Sequence, residues 1–206
     1  MTLTEIGIKF NTDKATYHRY TDIYDRILSP LRDAPVKILE IGILNGASLL
    51  MWREYFSVAQ IYGADINSYS HLNSFRISTI VINQEKEDQL LNLSNDFDII
   101  IDDGGHTMLQ QQLTFRIMFQ KLRAGGIYIL EDLHTSLSGF YETYQSNNFN
   151  NTLKLLEDFQ KGKLSEDSQY HITKEDFNSL LLIIESIEII RNSNQSITSI
   201  IKKSLS

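Results

Sequence analysis

The sequence predicts an α/β fold with a doubly wound, mostly parallel seven-stranded sheet that ends in an antiparallel hairpin. Three observations carry this. From residue 36 onward, short apolar runs alternate with stretches of helical periodicity, the pattern of βαβ units. Runs such as FDIIID at Phe97 to Asp102 are apolar without alternating, as strands covered on both faces are. Two β-branched runs close to residues 190 and 200 flank the turn-forming Asn192 to Gln195, the signal of a hairpin at a sheet edge.

The elements follow in order. Tyr17 to Leu31 reads as a helix with Tyr20, Tyr24, Ile27, Leu28 and Leu31 on one stripe, placed over the sheet edge or the site. Strands are expected at Val36 to Ile41, Ile61 to Ile66, Thr79 to Asn83, Phe97 to Asp102 and Gly126 to Leu130. Between them Ala47 to Phe56, Tyr69 to Phe75, Glu87 to Leu93 and Thr107 to Leu122 are helix-length, the last with Leu109, Leu113, Ile117 and Leu122 at helical spacing. Beyond the polar loop Gln145 to Asn151, helices are expected at Thr152 to Phe159 and Lys174 to Leu182, then strands at Ile187 to Ile190 and Ile197 to Ile201. Residues 1–206 read as one domain, 1–35 a helical cap and 36–206 the core, a length that buries enough surface to fold unaided.

Composition excludes several chemistries. With no cysteine there is no disulfide, thiolate ligand or cysteine nucleophile, which fits a reducing cytosol. Twenty-six acidic against nineteen basic residues, a formal charge of −7, argue against a nucleic-acid partner. No apolar stretch approaches the roughly 20 residues that cross a bilayer, and MTLTEIGIKF has no signal-peptide pattern. A cytoplasmic protein with no membrane partner is expected.

Three constellations carry chemistry. In Glu40-Ile41-Gly42-Ile43-Leu44-Asn45-Gly46-Ala47-Ser48 a strand runs through glycines into a helix, where backbone can approach a ligand closely. An acid two residues before the first glycine disfavours a pyrophosphate and favours a ligand with a cationic end, although a βα turn that binds nothing has the same glycines. Asp65 ends the second strand, where a carboxylate accepts ribose hydroxyls or caps a helix. Asp102-Asp103-Gly104-Gly105-His106 follows the fourth strand and Glu131-Asp132-Leu133-His134 the fifth. Adjacent parallel strands lie about 4.8 Å apart, so these acids can converge on one ion. A divalent cation relieves their repulsion, and an oxygen-rich set favours Mg2+, with Mn2+ or Ca2+ as substitutes. His106, at a helix start, suits a neutral general base or a capping role. His18, His71, His134 and His171 have weaker claims, and Tyr17, Tyr20 and Tyr24 read mainly as helix packing.

With these pieces in place, the chain resembles the class I S-adenosylmethionine-dependent methyltransferases, which are Rossmann-like. More narrowly it resembles the Mg2+-dependent sugar O-methyltransferases of macrolide biosynthesis, the mycinamicin and tylosin type, and the related group labelled cephalosporin hydroxylase. Matching segments are Thr12-Asp13-Lys14 with His18, Tyr20 and Tyr24, the EIGxxxGxS turn, DDGGH, GGIYILEDLHTS and IESIEIIRNS. They span nearly the whole chain, and not the large N-terminal auxiliary domain those enzymes carry. The resemblance implies Asp103, Glu131 and Asp132 as metal ligands and His106 as general base. Glu40, Gly42, Gly46, Ser48, Asp65, Gln84 and Asp102 would form the S-adenosylmethionine pocket, and a small-molecule or glycan sugar hydroxyl would be the acceptor. A homo-oligomer is left open. The competing readings are a metal-independent small-molecule methyltransferase, an Fe(II) oxygenase using His106 and His134 with Asp103, and a non-catalytic cofactor-binding or assembly subunit.

Overall fold

The structure is a computed structural model that describes residues 1–147, 149–192 and 194–205. Asn148 of the predicted polar loop, Ser193 of the predicted hairpin turn and Ser206 lie outside the described residues.

The sheet has seven strands in the order β3-β2-β1-β4-β5-β7-β6. Here β1 is Lys37–Ile41, β2 Gln60–Asp65, β3 Ile77–Val81, β4 Phe97–Asp102, β5 Leu122–Leu130, β6 Ile184–Arg191 and β7 Ile197–Lys203. The first five pair in parallel, and β7 runs antiparallel to both β5 and β6. The doubly wound sheet and its terminal antiparallel hairpin are therefore as the sequence predicts. Strand order reverses direction between β1 and β4, and at such a point the loops leaving the two strands part to open a crevice.

Helices cover both faces. One face, with Leu39, Ile41, Ile100, Tyr128 and Leu130, packs on α6 (Met108–Met118), α8 (Thr152–Lys161) and α9 (Lys174–Ile183). The other, with Ile38, Ile99, Ile101, Ile127 and Ile129, packs on α1 (Leu3–Phe10), α3 (Thr21–Leu28) and α4 (Ala47–Tyr55). A further short helix, α2, spans Asp13–Thr16, α5 spans Glu87–Asn92 and α7 spans Tyr141–Tyr144. Among the described residues no helix is long and apolar enough to cross a membrane.

Several boundaries differ for identifiable reasons. The helix expected from Tyr17 to Leu31 begins only at Thr21, because Arg19 adopts a left-handed φ of 58° and the Tyr20 amide bonds back to the Lys14 carbonyl at 2.8 Å. Its predicted stripe holds: Tyr20, Tyr24 and Leu28 are fully buried. Helix α1 was not anticipated, yet Thr2 and Glu5 form a reciprocal capping box at its start. The helix expected at Tyr69 to Phe75 is only a single 3-10 turn at Ser70–Leu72. Tyr69 and Leu72 pack on the core, but Phe75 stays exposed, Ser74 bridges to Ile77, and the Asn73 side chain accepts bonds from Thr79, which fix the segment as a turn. β3 correspondingly starts two residues earlier than predicted.

Candidate functional site

A cleft of about 440 Å3 opens at the carboxyl ends of β1 to β4. It is lined by residues 41–45, 65–67, 82–84 and 103–106 from the strand-end loops, by residues 11–13 from the cap, and by Asp132. Of the residues predicted for a cofactor, Gly42, Ser48, Asp65 and Gln84 line it, whereas Glu40, Gly46 and Asp102 do not.

Gly42 has a φ of 93°, and a Cβ there would overlap the Asp103 carbonyl oxygen. The two loops can lie this close, with the Asp103 amide on the Ile41 carbonyl at 2.9 Å, only because the residue is glycine. Asp65 accepts the Ile43 amide at 2.9 Å on one oxygen and the Asn67 amide at 2.8 Å on the other, so it fixes the glycine loop whether or not it also takes a ligand.

Strand parity sorts the acids. Successive side chains alternate between faces, so Asp102 follows Ile100 to one side while Asp103 follows Ile101 to the other. Asp102 is buried beneath Tyr128 Oη at 2.9 Å and Gln84 Nε2 at 2.8 Å. Burial pushes its carboxyl up to about 7 against these bonds. Glu40, which pairs with Ile101, shares the opposite face with Asp103, and Glu131 follows Ile129 onto that face too.

The cap supplies what these acids face. The Lys14 side chain, 1% exposed, lies 3.2 Å from Glu40 Oε1 and 3.0 Å from Glu131 Oε2, and donates to Asp103 Oδ2. Burial alone would lower the Lys14 pKa, but three carboxylates reverse this and hold it well above the ordinary lysine value. Burial raises the Glu131, Asp103 and Glu40 carboxyls, against the pull of Lys14. Glu40 Oε2 accepts the Trp52 indole N–H at 3.0 Å, so the cation this acid meets is the protein's own lysine.

Asp132 gathers a second set of groups. Tyr20 Oη donates to its Oδ1 at 3.1 Å, with His18 Nδ1 at 3.5 Å and His134 Nδ1 at 3.7 Å from the same oxygen. Burial, then the Asp132 charge, raises the Tyr20 phenol and keeps it a donor. His106 Nε2 stands 3.6 Å from Asp132 Oδ2 and 4.0 Å from Asp103 Oδ1. Both His106 and Asp132 take left-handed φ values, 62° and 54°, a backbone strain of the kind that clusters at functional sites.

Asp103, His106 and Asp132 each offer a ligand atom within 4.8 Å of the others. Glu131 stands outside that trio, its carboxylate drawn onto Lys14, but its Oε1 is buried without a hydrogen-bond partner among the described residues. Three carboxylates here face one ammonium, with Asp132 beside them, and hard oxygen donors with an unpartnered buried oxygen suit a divalent cation. His134 is not in the trio, which leaves the set short of the two-histidine arrangement of an Fe(II) oxygenase.

Lys14, Tyr20 and His18 are the members whose place sequence reasoning missed. The signal was present for Lys14: parity sends Glu40, Asp103 and Glu131 to one buried face, and three carboxylates there demand a cation.

No family model matches the chain. It is 37% identical over 145 residues to mycinamicin VI 2''-O-methyltransferase of Micromonospora griseorubida, covering 65% of this chain and 36% of that protein. Demethylmacrocin O-methyltransferase of Streptomyces fradiae is likewise 37% identical over 145 residues, with 65% and 37% covered. A tetracenomycin rhamnosyl 2'-O-methyltransferase of Streptomyces olivaceus is 35% identical over 144 residues, with 65% and 38% covered. The structure of the mycinamycin-pathway methyltransferase MycE in complex with Mg, SAH and mycinamycin VI superposes with a TM-score of 0.82 at 28% identity, covering 99% of this chain and 55% of that one. The chain thus spans 36 to 38% of the length of these curated relatives. The relatives it matches are by name O-methyltransferases, and its fold is that of the MycE methyltransferase.

Proposed function

We propose that this chain transfers a methyl group from S-adenosylmethionine to a hydroxyl of a sugar moiety, on a glycan or a glycosylated natural product, in a Mg2+-dependent reaction. The observation that carries the reading is the placing of Asp103, His106 and Asp132 at a cleft whose other lining includes Gly42, Ser48 and Asp65. The relatives' names support the sugar hydroxyl as acceptor, and MycE in complex with Mg and SAH supports both cofactors. We further take residues 1–206 to work as one domain, with a small-molecule or glycan partner rather than nucleic acid, in the cytoplasm.

Gly42, Ser48, Asp65 and Gln84 would contact the cofactor, while Glu40, Gly46 and Asp102 act behind them: Glu40 by holding Lys14, Asp102 by fixing Gln84. Asp103, Glu131 and Asp132 would hold Mg2+, which when bound lowers the pKa of an acceptor hydroxyl. His106 would take the proton on Nε2, which stands 3.6 Å from Asp132 Oδ2 and 4.0 Å from Asp103 Oδ1. The cleft would position the alkoxide in line with the sulfonium methyl group, so that the O–CH3 bond forms as the S–CH3 bond breaks and S-adenosylhomocysteine leaves, positioning supplying much of the rate.

Calorimetric titration of S-adenosylhomocysteine, with Mg2+ and again with EDTA, tests the reading, with NAD as control. Micromolar binding of the homocysteine ligand alone is expected; no binding by folded protein would turn the assignment to a non-catalytic subunit. A second reading, metal-independent methyl transfer, draws on Lys14, which already places a cation on Asp103 and Glu131. Turnover indifferent to a chelator would favour it.

A further inference from the structure

We propose that Lys14 and Tyr20 are positioning residues, each gripping one oxygen of the acidic side chains and leaving the other oxygen free for a divalent cation. The inference rests on the metal reading above and adds two residues to it.

The geometry repeats at three carboxylates. Lys14 donates to Asp103 Oδ2, while Asp103 Oδ1 is the oxygen turned to His106 Nε2 at 4.0 Å. Lys14 takes Glu131 Oε2 at 3.0 Å, and Glu131 Oε1 is the buried oxygen without a hydrogen-bond partner. Tyr20 Oη donates to Asp132 Oδ1 at 3.1 Å, and Asp132 Oδ2 is the oxygen 3.6 Å from His106. Each carboxylate has one held oxygen; on Asp103 and Asp132 the other oxygen is turned to His106, whereas Glu131 stands outside that trio with its second oxygen buried, and every donor doing the holding comes from residues 14–20 of the cap. Both donors are themselves fixed. Lys14 is anchored by Glu40, which Trp52 holds in turn; Tyr20 is fully buried, stacks on His18 at 5.1 Å and also lies 3.2 Å from the Ile197 carbonyl. A carboxylate free to rotate must be frozen when it binds an ion; one already gripped on its far oxygen loses less entropy, which is why outer partners of metal ligands govern affinity.

The test is the affinity of the full chain, without cofactor, for Mn2+ alone, measured by calorimetry beside urea unfolding of each variant. Tyr20→Phe keeps the ring packing and removes only the hydroxyl; it should weaken Mn2+ binding about 10-fold or more. Lys14→Met should do the same, and if it fails to fold because its buried acids lose their cation, Tyr20→Phe decides alone. Tyr55→Phe is the control: its hydroxyl, on α4, donates to Asp25 Oδ1 of the cap at 2.5 Å, and its loss should alter stability but leave Mn2+ affinity within twofold. Affinity within twofold of the parent for Tyr20→Phe, or an equal loss in Tyr55→Phe, overturns the inference while the metal reading stands. A parent chain that binds no Mn2+ overturns the metal reading and the inference with it.

Discussion

Replacing Gly42 by alanine separates two costs that usually come together. Gly42 and Gly139 have nearly the same backbone, φ 93° and 91°, but a Cβ at Gly139 meets nothing within 4 Å. At Gly42 the Cβ would overlap the Asp103 carbonyl oxygen and sit 2.6 Å from its carbon and 3.0 Å from Gly104 Cα. Carbon atoms in contact settle near 3.5–4.0 Å, roughly 1 Å further out, and backbone cannot swing aside as a flexible side chain can. Both variants carry the positive-φ strain of about 1–2 kcal/mol and the same small gain from a stiffer unfolded chain, so their difference isolates the clash. Overpacking of this kind costs about 1–3 kcal/mol, and parting the loops also stretches the Asp103 amide bond to Ile41, worth about 1 kcal/mol. Gly42→Ala should therefore be about 2–4 kcal/mol less stable than Gly139→Ala in urea unfolding. Equal stability of the two variants, within about 0.5 kcal/mol, would refute the argument that glycine is required there for close approach rather than for φ.

Other outcomes follow from the site. His106→Ala should retain S-adenosylhomocysteine binding and lower methyl transfer by on the order of 10²–10⁴-fold; unchanged turnover removes it as the base. Asp103→Asn should raise the Mg2+ concentration needed for half-maximal activity, and normal metal dependence would remove Asp103 from the ligand set. Asp158, which accepts from Ser165 and from Tyr170 Oη at 2.7 Å, titrates below the ordinary aspartate value because these hydrogen bonds outweigh the larger single effect of burial. A depressed carboxyl stabilises the fold above its unfolded pKa and loses that contribution as pH falls through the folded value. Asp158→Asn should thus be less stable than the parent near neutral pH, with the gap closing in acid; a gap independent of pH would contradict this.

The parallel strands were legible because period and flanking turns agreed, and β4 was found at its observed bounds. What sequence reasoning lost were segments whose shape depends on distant partners. The Tyr69 to Phe75 stretch has helix-forming length, but the bonds that Asn73 Oδ1 accepts from Thr79, six residues on, fix it as a turn. In the sequence Lys14 figures only within the matching Thr12-Asp13-Lys14 segment, without a role, and it is the fold that turns it onto acids 89 and 117 positions away. For Glu40 the reasoning was sound as electrostatics, since a buried acid there does want a cationic partner. The structure supplies that partner from within the chain. Strand parity alone would have separated Asp102 from Asp103, a distinction that follows from the two-residue repeat and needs no resemblance.

The long reach of the cap has a consequence for how the protein is made. Tyr20 Oη, which donates to Asp132, also lies 3.2 Å from the Ile197 carbonyl, and Tyr24 Oη lies 3.3 Å from Thr198 Oγ1, so these two residues of the helical cap complete their surroundings in β7. On the ribosome, Tyr20 and Tyr24 leave the exit tunnel more than 170 residues ahead of the strand that completes their surroundings. β1 to β5 can pair as they emerge, and Lys14 can meet Glu40, Asp103 and Glu131 once β5 is in place, but the contacts of Tyr20 and Tyr24 with β7 form last. Chaperone capture of nascent chains should accordingly be strongest in the window between emergence of β5 and emergence of β7.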